Sequence, residues 1–145
     1  MDQELKDQVI ELRCNLDDMT PERLGFAIDT LMDGGALDAF STPIGMKKSR
    51  PGVLLTVLCR PRDREKIVRL IFQHTTTLGV RESLCQRYIL GRSTGVMNTS
   101  YGQVHTKVSE GWGVRRVKME YEDMARLARE NKVGIREITG EDNLQ

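Results

Sequence analysis

With 145 residues, 39% hydrophobic and 30% charged, the chain has apolar mass for one domain, or a domain with a small appendage. Twenty-two Lys and Arg against 21 Asp and Glu leave a net charge of +1, which excludes a general electrostatic affinity for nucleic acid or anionic lipid. No stretch approaches the roughly 18–20 uninterrupted apolar residues of a membrane span and no basic-then-apolar leader opens the sequence, so a cytoplasmic location is expected.

The segment QVIELRCNL alternates, with Ile10, Leu12, Cys14 and Leu16 on one side, and predicts a strand with one buried face. The period then changes. Leu24, Ala27, Ile28 and Leu31 recur at helical spacing, Thr20 is a fitting N-cap, Pro21 suits the first helical position and Gly34-Gly35 supplies a stop. ALDAFSTPIGM and GVLLTVLCR read as a hairpin around a basic break. A second helix opens at Pro61 and Asp63, with Ile67, Val68, Leu70, Ile71 and Phe72 on its inner side. After the polar loop QHTTTLGV, residues 80–91 return to strand.

Strand, helix, strand, strand, helix, strand is the split βαβ order of an α+β, ferredoxin-like unit, spanning about residues 8–91. Residues 93–118 predict a meander of three strands broken by Gly95, Gly102, Gly111 and Gly113. EYEDMARLARENK predicts a helix burying Tyr121, Met124, Ala125 and Ala128, and VGIREIT a last strand. The expected division is 1–92 for the ferredoxin-like unit and 93–145 for the meander, helix and final strand.

Five places carry candidate chemistry. Lys47, Lys48 and Arg50 stand at the hairpin tip with no acidic neighbour in the break, a pattern shared by phosphate clamps and by solvated turns. In NLDDMTPE, Asn15, Asp17 and Asp18 lie where a strand hands over to a helix. Oxygen ligands of this kind suit magnesium or manganese, and equally bond backbone amides in a turn. Thr75, Thr76, Thr77, Gly79 and Arg81 form a hydroxyl-rich loop able to hold phosphate or ribose oxygens, or to satisfy exposed carbonyls. Alternation in QVHTKV puts His105 with Lys107, a surface-strand pattern that also suits a phosphate or metal contact. His74 fits a helix C-terminus, and Glu120 with Glu122 and Asp123 fits dipole compensation. Cys14, Cys59 and Cys85 read as reduced, buried thiols, and no C-x-x-C pattern marks a zinc site. No nucleophile elbow, P-loop or H-E-x-x-H is present.

Taken together, NLDDMTPE, GALDAFSTPIGMKKSRPG, TTTLGVR and EYEDMARLARE resemble the C-terminal domain of the LarC family, in order, from about residue 8 to residue 138. The resemblance implies a nickel insertase. It implies insertion of nickel, the substrate metal, into pyridinium bisthiocarboxylate mononucleotide to make the nickel-pincer cofactor of lactate racemase. The same resemblance implies consumption of CTP with manganese or magnesium. By motif position it implies nucleotide binding by Lys47, Lys48, Arg50, Thr76, Thr77, Arg81 and Asn15, and metal contact by Asp17 and Asp18. Expected partners are CTP, the mononucleotide substrate, an N-terminal family domain that this sequence lacks, and further copies in a homo-oligomer; nucleic acid and membrane are not expected. The chain is accordingly expected to be part of an enzyme. Lys118-Met119-Glu120 departs from the family's Lys-Pro-Glu. The alternative reading is a non-catalytic regulatory domain that binds a nucleotide or small effector, and RNA binding is disfavoured because no strand pairs aromatics for base stacking.

Overall fold

The computed structural model describes residues 5–140. They form two compact units, Lys6–Arg87 and, together with Leu5, Tyr88–Gly140. None of their helices is long and apolar enough to cross a membrane.

The first unit is β1 (Leu5–Leu16), α1 (Pro21–Asp33), β2 (Asp38–Met46), β3 (Arg50–Cys59), α2 (Arg64–His74) and β4 (Arg81–Ile89), with β1 and β4 running to its limits. Its sheet order is β2-β3-β1-β4. The β1–β3 and β2–β3 ladders are antiparallel. Contacts from β4 to β1 run in inverse order, Arg87 to Asp7, Cys85 to Glu11 and Arg81 to Asn15, so that pair is antiparallel too. This is the expected ferredoxin-like arrangement.

Alternation in β1 selects the core. Ile10, Leu12, Cys14 and Leu16 are buried together with Leu55, Val57 and Cys59 of β3, Leu31 of α1, and Ile67 and Ile71 of α2. The helix signals acted as expected: the Thr20 hydroxyl accepts from the Arg23 N–H, Pro21 opens α1, and Gly35 takes the left-handed conformation (φ 104°) that ends it. Two expectations fail. Phe72 is half-exposed rather than inward, because it sits about 140° around α2 from Ile67 at 100° per residue. Cys85 is only partly buried, its thiol against the Glu11 carboxylate.

The second unit is the expected meander, β5 (Gly91–Thr99), β6 (Gly102–Gly111) and β7 (Val114–Met119), followed by α3 (Tyr121–Asn131) and α4 (Ile135–Thr139). Val104, Leu127, Ala128 and Ile138 form its small core. Tyr121, expected inside, is exposed. The final strand is a helix. Ile135 and Ile138 are spaced for a helical turn rather than a strand face, the Glu137 carboxylate accepts from the Gly134 N–H, and Ile138 is buried in the core.

Two carboxylates give the units acid-sensitive contacts. Arg87 donates from Nε and Nη2 to the two Asp7 oxygens at 2.9 and 2.7 Å and holds Asp7 below the ordinary carboxylate range. The backbone N–H of His105 donates to Asp123 at 2.7 Å, with the ring Nδ1 at the same distance, and these bonds lower Asp123. A carboxylate lowered by folding contributes stability that is complete above its unfolded pKa of about 3.9 and is lost as pH falls through the folded value. Urea midpoints should therefore stay level from neutral pH to about 5 and fall below it. Asp7→Asn and Asp123→Asn should each flatten that acid limb, and an unchanged limb in both would refute the assignment.

Candidate functional site

The site is a sheet end. In the ferredoxin-like topology the C-terminus of β1, the N-terminus of α1, the β2–β3 hairpin and the entry to β4 all lie at one edge. The register fixes this here. Leu16 stands opposite Val53, so the hairpin extends three residues past β1, level with the Asp17-Asp18 turn. Nine candidate residues, far apart in sequence, meet at that edge.

The hairpin tip is tightly made. Residues 47–49 form a single 3-10 turn in which Lys48 and Ser49 adopt left-handed backbone, φ 60° and 57°. Behind it, a Cβ on Gly52 would lie 2.3 Å from the Met46 sulfur and 3.0 Å from the Leu16 carbonyl oxygen, so a side chain there would displace Met46 and crowd the end of β1. Lys47, Lys48 and Arg50 are exposed, and none has a carboxylate partner among the described residues.

Across the sheet, the Arg81 guanidinium donates to the Asn15 amide oxygen at 3.0 Å. Asn15 is paired with Leu54, and Arg50 shares the alternation of Leu54, so Asn15 and Arg50 lie on the sheet face away from the helices. Arg81 reaches Asn15 on that same face. On the helix side, the Thr76 hydroxyl donates to the Asp18 carboxylate. That pair borders a cleft of about 430 Å³ shared with Glu22, Arg23 and His74, whose ring tilts against Phe26 at 5.9 Å. The Thr77 hydroxyl donates to the Gly79 carbonyl at 2.7 Å, so it shapes the loop. Beneath it, burial pushes the Cys14 thiol up, opposed by the Thr77 hydroxyl and the Arg81 charge.

The nine residues thus divide. Asn15, Arg50 and Arg81 belong to the open face, Asp18 and Thr76 to the helix side, Thr77 to the loop it closes onto Gly79, and Asp17 with Lys47 and Lys48 are exposed at the rim. No hydrogen bond or ion pair joins the hairpin cations to the other six among the described residues. Nor does any group of three His, Cys, Asp or Glu side chains there form a metal cluster. His105 and Glu120, read from sequence as a separate group, are engaged in the second unit, with Asp123 and with Lys107 (3.2 Å) respectively.

Sequence reading missed Gly52, whose tight packing against the Met46 side chain and the Leu16 carbonyl appears only in the folded hairpin. It also left Asn15 and Arg81 as separate candidates, since their 66-residue separation hides the bond between them.

The nickel insertion protein family model matches residues 1–139. Among curated proteins, a putative nickel insertion protein of Enterococcus faecalis is 40% identical over 91% of this chain and 40% of its own length. A pyridinium-3,5-bisthiocarboxylic acid mononucleotide nickel insertion protein of Acetivibrio thermocellus is 41% identical over 94% of this chain and 33% of its own. The chain therefore spans about a third to two-fifths of the length of these relatives. Among solved structures, apo LarC2, described as the C-terminal domain of a cyclometallase in synthesis of the lactate racemase NPN cofactor, is 40% identical. It superposes with a TM-score of 0.79 over 92% of this chain and 93% of that one. A Methanopyrus kandleri protein, 28% identical, superposes at 0.73 over 92% of this chain and 85% of its own. The chain belongs to the nickel insertion protein family, and the part of it represented here is the LarC C-terminal domain.

Proposed function

We propose that this chain is the CTP-binding part of a nickel insertase, which inserts nickel into pyridinium bisthiocarboxylate mononucleotide at the expense of CTP. The observation that supports it is the placement of three sequence-distant motifs at one sheet end, where hairpin cations without a carboxylate partner among the described residues and two exposed carboxylates share the same edge.

Triphosphate binding asks for positioning and charge neutralisation more than for a protein nucleophile. Lys47 and Lys48 serve as mobile point charges, and Arg50 and Arg81 as planar forks for phosphate oxygens. The Asn15 amide holds Arg81 on the open face. Asp17 and Asp18 are the residues that would hold a divalent ion. Two exposed carboxylates, with no third His, Cys, Asp or Glu grouped with them among the described residues, fit magnesium or manganese, which keep several waters and take the remaining oxygens from phosphate. When bound, that ion supplies neutralisation across the phosphate oxygens. Asp18 would give up or share its bond to Thr76 to do so.

Nickel is cargo in this reading, and an N-terminal family domain is the expected partner in its insertion, in keeping with relatives that extend well beyond the part matched here. Assembly into a homo-oligomer and a cytoplasmic location are parts of the same proposal.

The test is a thermal-shift panel of the four ribonucleoside triphosphates, each with and without manganese. A ligand that binds the native state raises the melting temperature by mass action. CTP with manganese should give the largest rise, and CTP without it a smaller one. Equal shifts for all four nucleotides, or none, would overturn the CTP reading.

A further inference from the structure

The second unit carries a charged surface that the proposal above does not use. Val104 and Thr106 of β6 are buried toward α3, so Lys107 and Ser109, at the alternate positions, lie on the opposite face. Register fills in the neighbours. Lys107 stands opposite Thr94 on one side and Lys118 on the other; Ser109 stands opposite Arg92 and Arg116. These six residues make a grid of two rows across three strands, spanning roughly 10 Å by 7 Å from strand and residue spacings. They line a cavity of about 520 Å³, within the size range of small-molecule sites.

Its charge is one-sided. Lys107 has Glu120 at 3.2 Å, but Arg92, Arg116 and Lys118 have no carboxylate partner among the described residues. Lys107 directly opposite Lys118 is a like-charge cross-strand pair, an arrangement that costs stability unless an anion lies between. Two guanidinium groups flank one serine hydroxyl, and a threonine hydroxyl flanks the lysine pair. Guanidinium forks, ammonium groups and hydroxyl donors converging on a cavity form a recognition set for phosphate. Aromatic side chains that would stack single-stranded bases are absent from the six.

We propose that this face binds a small phosphate monoester carrying further anionic groups, and, resting on the reading above, that it seats the pyridinium mononucleotide. That compound class carries a phosphate and two thiocarboxylates, enough negative charge to occupy both rows. CTP and mononucleotide would then bind at different sheets of the same chain.

The experiment is calorimetric titration of the full 145-residue chain with nicotinic acid mononucleotide, which shares the pyridinium ring, ribose phosphate and a ring carboxylate. Inorganic phosphate and the corresponding riboside are titrated in parallel. The mononucleotide should bind, phosphate should compete with it, and the riboside should bind at least tenfold more weakly. Arg92→Gln/Arg116→Gln should weaken the mononucleotide at least tenfold and leave the manganese–CTP response unchanged. Lys118→Gln should also weaken it while maintaining or raising the melting temperature of the free protein, since a like-charge pair is removed. Three results would overturn the inference: no mononucleotide binding to folded wild type, equal binding to the double Arg variant, or riboside binding as tightly as the phosphorylated form. The first would do so even if CTP binds as proposed. Loss of CTP binding in the double Arg variant would overturn both readings.

Discussion

Replacing Lys47 and Lys48 together by Ala is expected to weaken CTP binding tenfold or more while the melting temperature of the free protein stays within about a degree. The affinity term follows from charge: a hydrogen bond to a charged group is worth about 1.5–3 kcal/mol, and 1.4 kcal/mol is a factor of ten. The stability term follows from exposure. Both side chains are solvated, neither has an ion-pair partner among the described residues, and surface changes of this kind usually fall within about 0.5 kcal/mol. Lys48 adopts left-handed backbone at φ 60°, so Lys48→Asn, a residue tolerant of that conformation, is the control that removes charge with least strain. Titration calorimetry with CTP and manganese, with melting by circular dichroism, reads both quantities. Undiminished affinity in the double variant would remove the hairpin from the site.

The largest effect on the fold is expected from Leu55→Ala. Leu55 is fully buried in the middle of β3, opposite Cys14 of β1 and Ser41 of β2, with its side chain against the two helices. Truncating a buried leucine removes its transfer free energy and leaves a cavity, together about 2–5 kcal/mol. Against the 5–15 kcal/mol typical of a domain, that is a large share. The expected result is a urea midpoint lowered accordingly. β3 also carries the hairpin at its start, so weaker nucleotide binding should appear only where the unfolded fraction becomes appreciable. A change below about 0.5 kcal/mol would show that Leu55 is not central to the core.

Much of the first unit was legible because its local signals agree. The switch from period two in residues 8–16 to helical spacing at Leu24, Ala27, Ile28 and Leu31, between Thr20-Pro21 and Gly34-Gly35, left little freedom. The second unit was less legible for an equally local reason. Val133 and Ile135 favour strand, and only the burial of Ile138 beside Val104 and Leu127 shows why a helical turn prevails. Phe72 was assigned inward but falls off the buried stripe of α2, whereas Tyr121 has the helical spacing of Ala125 and Ala128 yet stands at the first position of α3, where it is exposed. For the site, sequence supplied the residue types but not the division between sheet faces, since register decides which side chains meet. Asn15 and Arg81 come together through β1–β4 pairing, and Arg92, Lys107, Arg116 and Lys118 through the meander. Charge at single positions gave no hint of that second grouping; the cross-strand partners did.

The central claim is that the hairpin end of the four-stranded sheet holds a nucleotide triphosphate. A crystal structure with CTP and manganese bound tests it most directly. The phosphates should lie within hydrogen-bond distance of Lys47, Lys48 or Arg50, with the metal on Asp17 or Asp18. Phosphates seated instead on Arg92, Arg116 and Lys118, with the hairpin left in solvent, would contradict it.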